Sequence, residues 1–124
     1  MASTAPSLRY ALLFLASTLA APAAWAHAHL THQYPAADAE VTAAPQALTL
    51  NFSEGIEPGF SGATLTGPKQ ESIKTRPAKR NEQDAKQLII PLDQTLNPGA
   101  YTVNWHVVSV DGHKTKGQYT FSVK

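Results

Sequence analysis

The sequence predicts an all-β fold, a sandwich or small Greek-key barrel of about seven short strands, and three observations carry that expectation. Apolar and polar residues alternate with period two in several runs, and no helical periodicity of any length appears. Turn signals separate the runs, at Pro35, Pro45, Pro58-Gly59, Gly67-Pro68, Pro77 and Asn97-Pro98-Gly99. The chain of 124 residues has room for one domain, and without Cys that domain depends on a compact, well-patterned core.

Along the chain, residues 1–26 come first and stand apart. Arg9 is their only charged side chain, residues 10–21 are apolar except for Ser17 and Thr18, and small residues follow. This is the organisation of a cleaved secretory signal peptide, leaving residues 27–124 as the domain. A membrane anchor is the competing reading, but a spanning helix needs about 20 apolar residues and this run is shorter. Two Ala-x-Ala sites overlap. Cleavage after Ala24-Trp25-Ala26 exposes His27, cleavage after Ala26-His27-Ala28 exposes His29, and the first is preferred.

The strands follow in order. Residues 29–32 form a short candidate. Leu48, Leu50 and Phe52 alternate with Thr49, Asn51 and Ser53, so one face of that strand belongs to a core. Residues 63–66, 72–75 and the apolar run 88–92 are further short candidates. Tyr101, Val103, Trp105 and Val107 alternate with Thr102, Asn104 and His106, and Tyr119, Phe121 and Val123 with Thr120 and Ser122. Between them, residues 67–87 are polar, with Lys69, Lys74, Arg76, Lys79, Arg80 and Lys86 against Glu71, Glu82 and Asp84. A solvated loop flanking an edge strand explains this stretch, and a docking patch for an anionic surface is the alternative.

Composition narrows the chemistry. Ten Lys and Arg stand against nine Asp and Glu, and removing Arg9 with the signal balances them, so no positive field exists to hold nucleic acid. Without Cys there is no disulfide, thiolate metal site or thiol nucleophile. The single Met is Met1, so the mature chain contains no sulfur. Any metal must be held by nitrogen and oxygen.

Two places can supply those atoms. His27, His29 and His32 lie at the new N-terminus, and His113 follows a strong strand that also carries His106. A free N-terminal His27 offers its α-amine and ring Nδ1 to one ion, closing a chelate ring. Asp111-Gly112-His113 complements it: in extended backbone, residues two apart face one side, with Gly112 leaving room between them. Three nitrogens and one oxygen suit the tetragonal preference of Cu(II), and the lack of soft ligands leaves no Cu(I) site. Each piece also has an ordinary reading. Asp-Gly is a common turn pair, and His106 and His32 fit exposed surface positions. His29 fits an extra ligand or a group supporting one.

The segments His27-Ala28-His29-Leu30, Pro35-Ala36-Ala37-Asp38, Leu50-Asn51-Phe52-Ser53-Glu54, Gly99-Ala100-Tyr101-Thr102-Val103-Asn104-Trp105, Ser109-Val110-Asp111-Gly112-His113 and Gly117-Gln118-Tyr119-Thr120-Phe121 resemble the CopC family of periplasmic copper-resistance proteins, especially its YobA-type members. The resemblance runs through essentially all of residues 27–124. It implies a seven-stranded Greek-key β-barrel of cupredoxin-like or immunoglobulin-like shape, holding Cu(II) in one square-planar type 2 site. The ligands it implies are His27 through amine and ring, Asp111 and His113. Glu54 would be a further ligand or a carboxylate supporting one, and His29 occupies a position that is His only in some members. Members with a Met-rich loop carry a separate Cu(I) site, whereas residues 65–77 here contain no Met.

The expected function is a periplasmic, monomeric Cu(II) binder, one ion per chain, that is not an enzyme. It would buffer copper in homeostasis and resistance or deliver it to a CopD-like inner-membrane protein. The alternative from another class is a histidine-brace polysaccharide monooxygenase, because those enzymes also use an N-terminal His with a second His. The chain is short for that group and shows no evident aromatic platform, and an anionic Asp111 in the plane favours Cu(II).

Overall fold

The strongest alternation in the sequence becomes the longest hairpin. In a computed structural model that describes residues 28–124, β8 (Gly99–Val108) and β9 (Lys114–Val123) pair antiparallel along their whole lengths, from Gly99 opposite Val123 to Val108 opposite Lys114. Tyr101, Val103, Trp105 and Val107 point inward from β8, and Tyr119, Phe121 and Val123 from β9. Their polar partners face outward, as period two requires.

Two sheets pack face to face. One has the order β1 (Leu30–Tyr34), β3 (Ala47–Phe52), β7 (Asp84–Pro91), β6 (Lys79–Asn81); the other has β2 (Glu40–Val41), β9, β8, β4 (Gly62–Thr66), β5 (Ser72–Ile73). Among the described residues the only helical piece is a 3-10 turn at Pro58–Phe60. The chain crosses between sheets after β3 and returns to place β4 against β8, which are far apart in sequence. The all-β sandwich expected from the sequence is therefore the observed architecture. Among the described residues nine strands are formed, and seven of them exceed two residues.

The core lies between the inner faces, with Leu48, Leu50, Phe52, Leu88 and Ile90 from one sheet meeting the aromatic residues of the other. Phe52 meets Trp105 edge to face with centroids 5.3 Å apart, and Tyr101 stacks on Phe121 at 5.5 Å. Gly117 stands opposite Trp105, and a Cβ there would lie 2.5 Å from the indole, so only glycine lets the ring lie against β9. The Tyr101 hydroxyl donates to the Asn97 carbonyl at 2.6 Å, fixing the turn that enters β8. The Tyr119 hydroxyl is buried with no hydrogen-bond partner among the described residues, and burial pushes its pKa up to about 12.

One expectation needs correcting. Besides β5, which falls within the expected strand at 72–75, the polar stretch 67–87 holds β6 and the start of β7 and is not a solvated loop there. β6 is itself the edge strand, closing a hairpin with β7 in which the Asn81 side chain accepts the Gln83 amide at 2.8 Å. Lys79 and Arg80 are exposed there, so no apolar alternation marks the strand, and charge on an edge discourages pairing with other chains.

Candidate metal centre

β8 ends at Val108, and the chain turns over residues 109–113 before β9 begins. The Ser109 amide donates to the His113 carbonyl at 2.9 Å and the Gly112 amide to the Ser109 carbonyl at 2.8 Å, which closes the turn. Gly112 has φ +89°, a left-handed backbone that a side chain would strain. Asp111 and His113 therefore converge through a tight turn rather than along extended backbone, because Gly112 reverses the chain between them.

Ser109 continues the inward series of Tyr101, Val103, Trp105 and Val107 and is fully buried. Its hydroxyl donates to Asp111 Oδ1, which also accepts the His113 amide at 3.3 Å. The other oxygen, Oδ2, lies 3.0 Å from His113 Nδ1. Both side chains reach solvent, with His113 46% and Asp111 42% exposed. The Ser109 hydroxyl, and after it His113, hold the Asp111 carboxyl down at about 2. A depressed carboxyl stabilises the fold above its ordinary range, and that contribution is lost as pH falls towards about 2. Ser109→Ala is expected to raise the Asp111 midpoint towards the ordinary 3.8, read by NMR titration of its carboxyl carbon; an unchanged midpoint would show that the hydroxyl does not hold it.

Two other segments meet this turn. The Val110 amide donates to the Gly55 carbonyl at 2.9 Å, and Ile56 bridges to Ser109, so the segment after β3 lies along the turn. The start of the described chain is tied to the same end. The Thr115 hydroxyl donates to the Ala28 carbonyl at 3.1 Å, while His29 gives its amide to Ser53 Oγ at 2.8 Å and accepts the Ser53 amide at 2.9 Å. Glu54, half-buried, follows Ser53.

The structure thus brings Asp111 and His113 into direct contact and sets the strand ends carrying His29 and Glu54 at the same end of the sandwich. Among the described residues, no three His, Asp or Glu side chains gather closely enough to hold an ion. His27, the first of the expected ligands, lies outside the described residues, as does the expected signal peptide. His32 on β1 and His106 on β8 are exposed and away from the turn, as the sequence predicts. Sequence reasoning missed Ser109, whose signal was a hydroxyl at an inward-facing position of an otherwise apolar strand face.

A model of the CopC domain matches residues 30–124. The chain belongs to the CopC family. Among CopC relatives, protein YobA from Escherichia coli strain K12 is 77% identical over 124 residues, covering 100% of both chains. Copper resistance protein C from Xanthomonas campestris pv. juglandis is 37% identical, over 95% of this chain and 96% of its own. In the crystal structure of PcoC, a methionine-rich copper resistance protein from Escherichia coli, 39% identity accompanies a TM-score of 0.71, over 80% of this chain and 100% of that one. The CopC fold therefore embraces β1 through β9, including the Asp111–His113 turn.

Proposed function

We propose that this CopC-family protein is a periplasmic Cu(II) binder that holds one ion through the His27 amine and ring, Asp111 and His113. The observation that carries the proposal is the 3.0 Å separation of Asp111 Oδ2 and His113 Nδ1. Neighbouring donors around a square-planar ion with bonds of about 2.0 to 2.1 Å lie about 2.9 Å apart. The pair is thus separated as one edge of such a site, and an ion replacing the proton they share requires both donors to swing from facing one another to facing the ion. The tie between Ala28 and Thr115 supports the rest, because it sets the start of the described chain beside the strand that follows His113. Glu54 and His29 are proposed as supporting groups at the same end.

Cu(II) is the form proposed because residues 27–124 contain neither Met nor Cys. Nitrogen and carboxylate oxygen favour Cu(II) over Cu(I). The named copper resistance relatives set the context: the protein buffers Cu(II) or passes it to a CopD-like inner-membrane protein, acting as a monomer and not as an enzyme.

Titrating the mature, untagged protein with Cu(II) tests this. One tight equivalent with a tetragonal, nitrogen-rich EPR spectrum is expected, and its absence would sink the proposal. Oxidised products from chitin or cellulose, with reductant and copper supplied, would favour the monooxygenase reading instead. Affinity is also expected to fall as pH drops from about 7 to about 5, because amine and imidazole must lose protons to bind the ion. A competition titration at several pH values checks this; a flat profile would mean that the ligand set is wrong.

A further inference from the structure

The outer face of the β8–β9 hairpin carries a cleft that begins one residue behind the Asp111–His113 turn on both strands. Its volume is about 730 Å³, and Phe60, His106, Val108, Lys114 and Lys116 line its accessible rim. Phe60, at the end of the 3-10 turn, is 73% exposed, the highest value among the large hydrophobic side chains of the described residues. The Glu57 amide bonds to the Val108 carbonyl at 2.9 Å, and the Phe60 amide to the Glu57 carbonyl at 3.2 Å, so this ring is presented from a backbone anchored on β8. Gly62, opposite His106, leaves open the space beside that imidazole.

A phenylalanine ring presented beside an apolar hollow offers a partner surface to bury, which favours whatever covers it. Charge says what kind of surface that is. The lining contains Lys114 and Lys116 and no carboxylate, and lysine side chains cover apolar surface with their stems while keeping their ammonium groups in water. We propose that this cleft docks an acidic segment of a partner protein, which inserts one large apolar side chain against Phe60 and Val108 and sets carboxylates on Lys114 and Lys116. Apolar anchors ringed by complementary charge are the usual anatomy of such contacts. A membrane surface fits less well, since anionic lipid recognition draws on about four to eight basic residues and this hollow offers two.

Position gives the cleft its purpose, and this part rests on the copper reading above. Val108 precedes Ser109 and Lys114 follows His113, so a docked partner stands beside the proposed ion. The partner would be the protein that supplies or receives it.

The probe is a blocked peptide with one phenylalanine flanked on each side by three glutamates, titrated into ¹⁵N-labelled mature protein to about 2 mM. Amide shifts confined to Phe60, Val108 and residues 114–116 are expected, weakening with salt as charge pairing requires. Phe60→Ala should lower peptide affinity about fivefold or more and K114E/K116E should abolish it, while a lysine-flanked peptide should not bind. Cu(II) titration of Phe60→Ala should match the parent, since neither Asp111 nor His113 is altered; this keeps failure of docking distinct from failure of the copper site. Absence of shifts at the highest concentration, shifts elsewhere on the molecule, or full binding by Phe60→Ala would overturn the proposal. So would shifts at these residues with phosphatidylglycerol vesicles but not with the peptide, which would make the cleft a membrane contact.

Discussion

Replacing His113 with alanine, or placing one extra residue ahead of His27 in the mature chain, is expected to weaken Cu(II) binding by at least about 100-fold. Changes to groups behind metal ligands cost about 10- to 100-fold, so loss of a ligand should reach or exceed the upper end. The two alterations act on opposite sides of the proposed site. His113→Ala removes the imidazole paired with Asp111 Oδ2, whereas an added residue turns the α-amine into an amide and breaks the N-terminal chelate. Neither should disturb the fold appreciably, because His113 is 46% exposed and residue 27 precedes the first strand. Asp111→Asn separates charge from shape: it retains a side chain of similar size while removing the anion. Competition against a chelator of known affinity, with EPR on each loaded variant, measures all three. Binding as tight as the parent's after either main alteration would remove that group from the ligand set.

Phe121→Ala is expected to cost about 3 to 5 kcal/mol of folding stability. The ring is 1% exposed and stacks on Tyr101, whose hydroxyl in turn holds the turn entering β8. A domain of this size has about 5 to 15 kcal/mol in total, so the variant should be close to unfolding in mild urea. Urea denaturation followed by far-UV circular dichroism gives the number. A loss below about 1 kcal/mol would mean that the two sheets close over the gap, leaving little of the usual cavity penalty. Cu(II) affinity of the folded fraction should be unchanged, because Phe121 lies well along β9 from the turn.

How much could be read beforehand follows from which side chains are half-buried. Leu48, Leu50 and Phe52, and the inward residues of β8 and β9, have one face in the core and one in water, so alternation announced them. β6 could not be seen, because Lys79 and Arg80 are both exposed on the sheet edge. β2 is two residues long and pairs parallel with the far end of β9, a contact no local pattern encodes. The pairing of Asp111 with His113 was legible from spacing, although the backbone that achieves it is a turn with Gly112 at positive φ. Ser109 was harder to see: its role depends on Asp111 folding back over it, and the only trace was a hydroxyl where the strand's parity calls for an apolar side chain.

The hydrogen bond from Thr115 to the Ala28 carbonyl brings the beginning of the described chain to its last hairpin. An ion gripped by His27 on one side and His113 on the other would close nearly the whole polypeptide into a ring. Long closures of this kind restrict the unfolded chain most strongly, the part usually played by a cystine in exported domains. Because residues 27–124 contain no sulfur, copper bound there would be both cargo and reversible cross-link, and loading would register as resistance to unfolding.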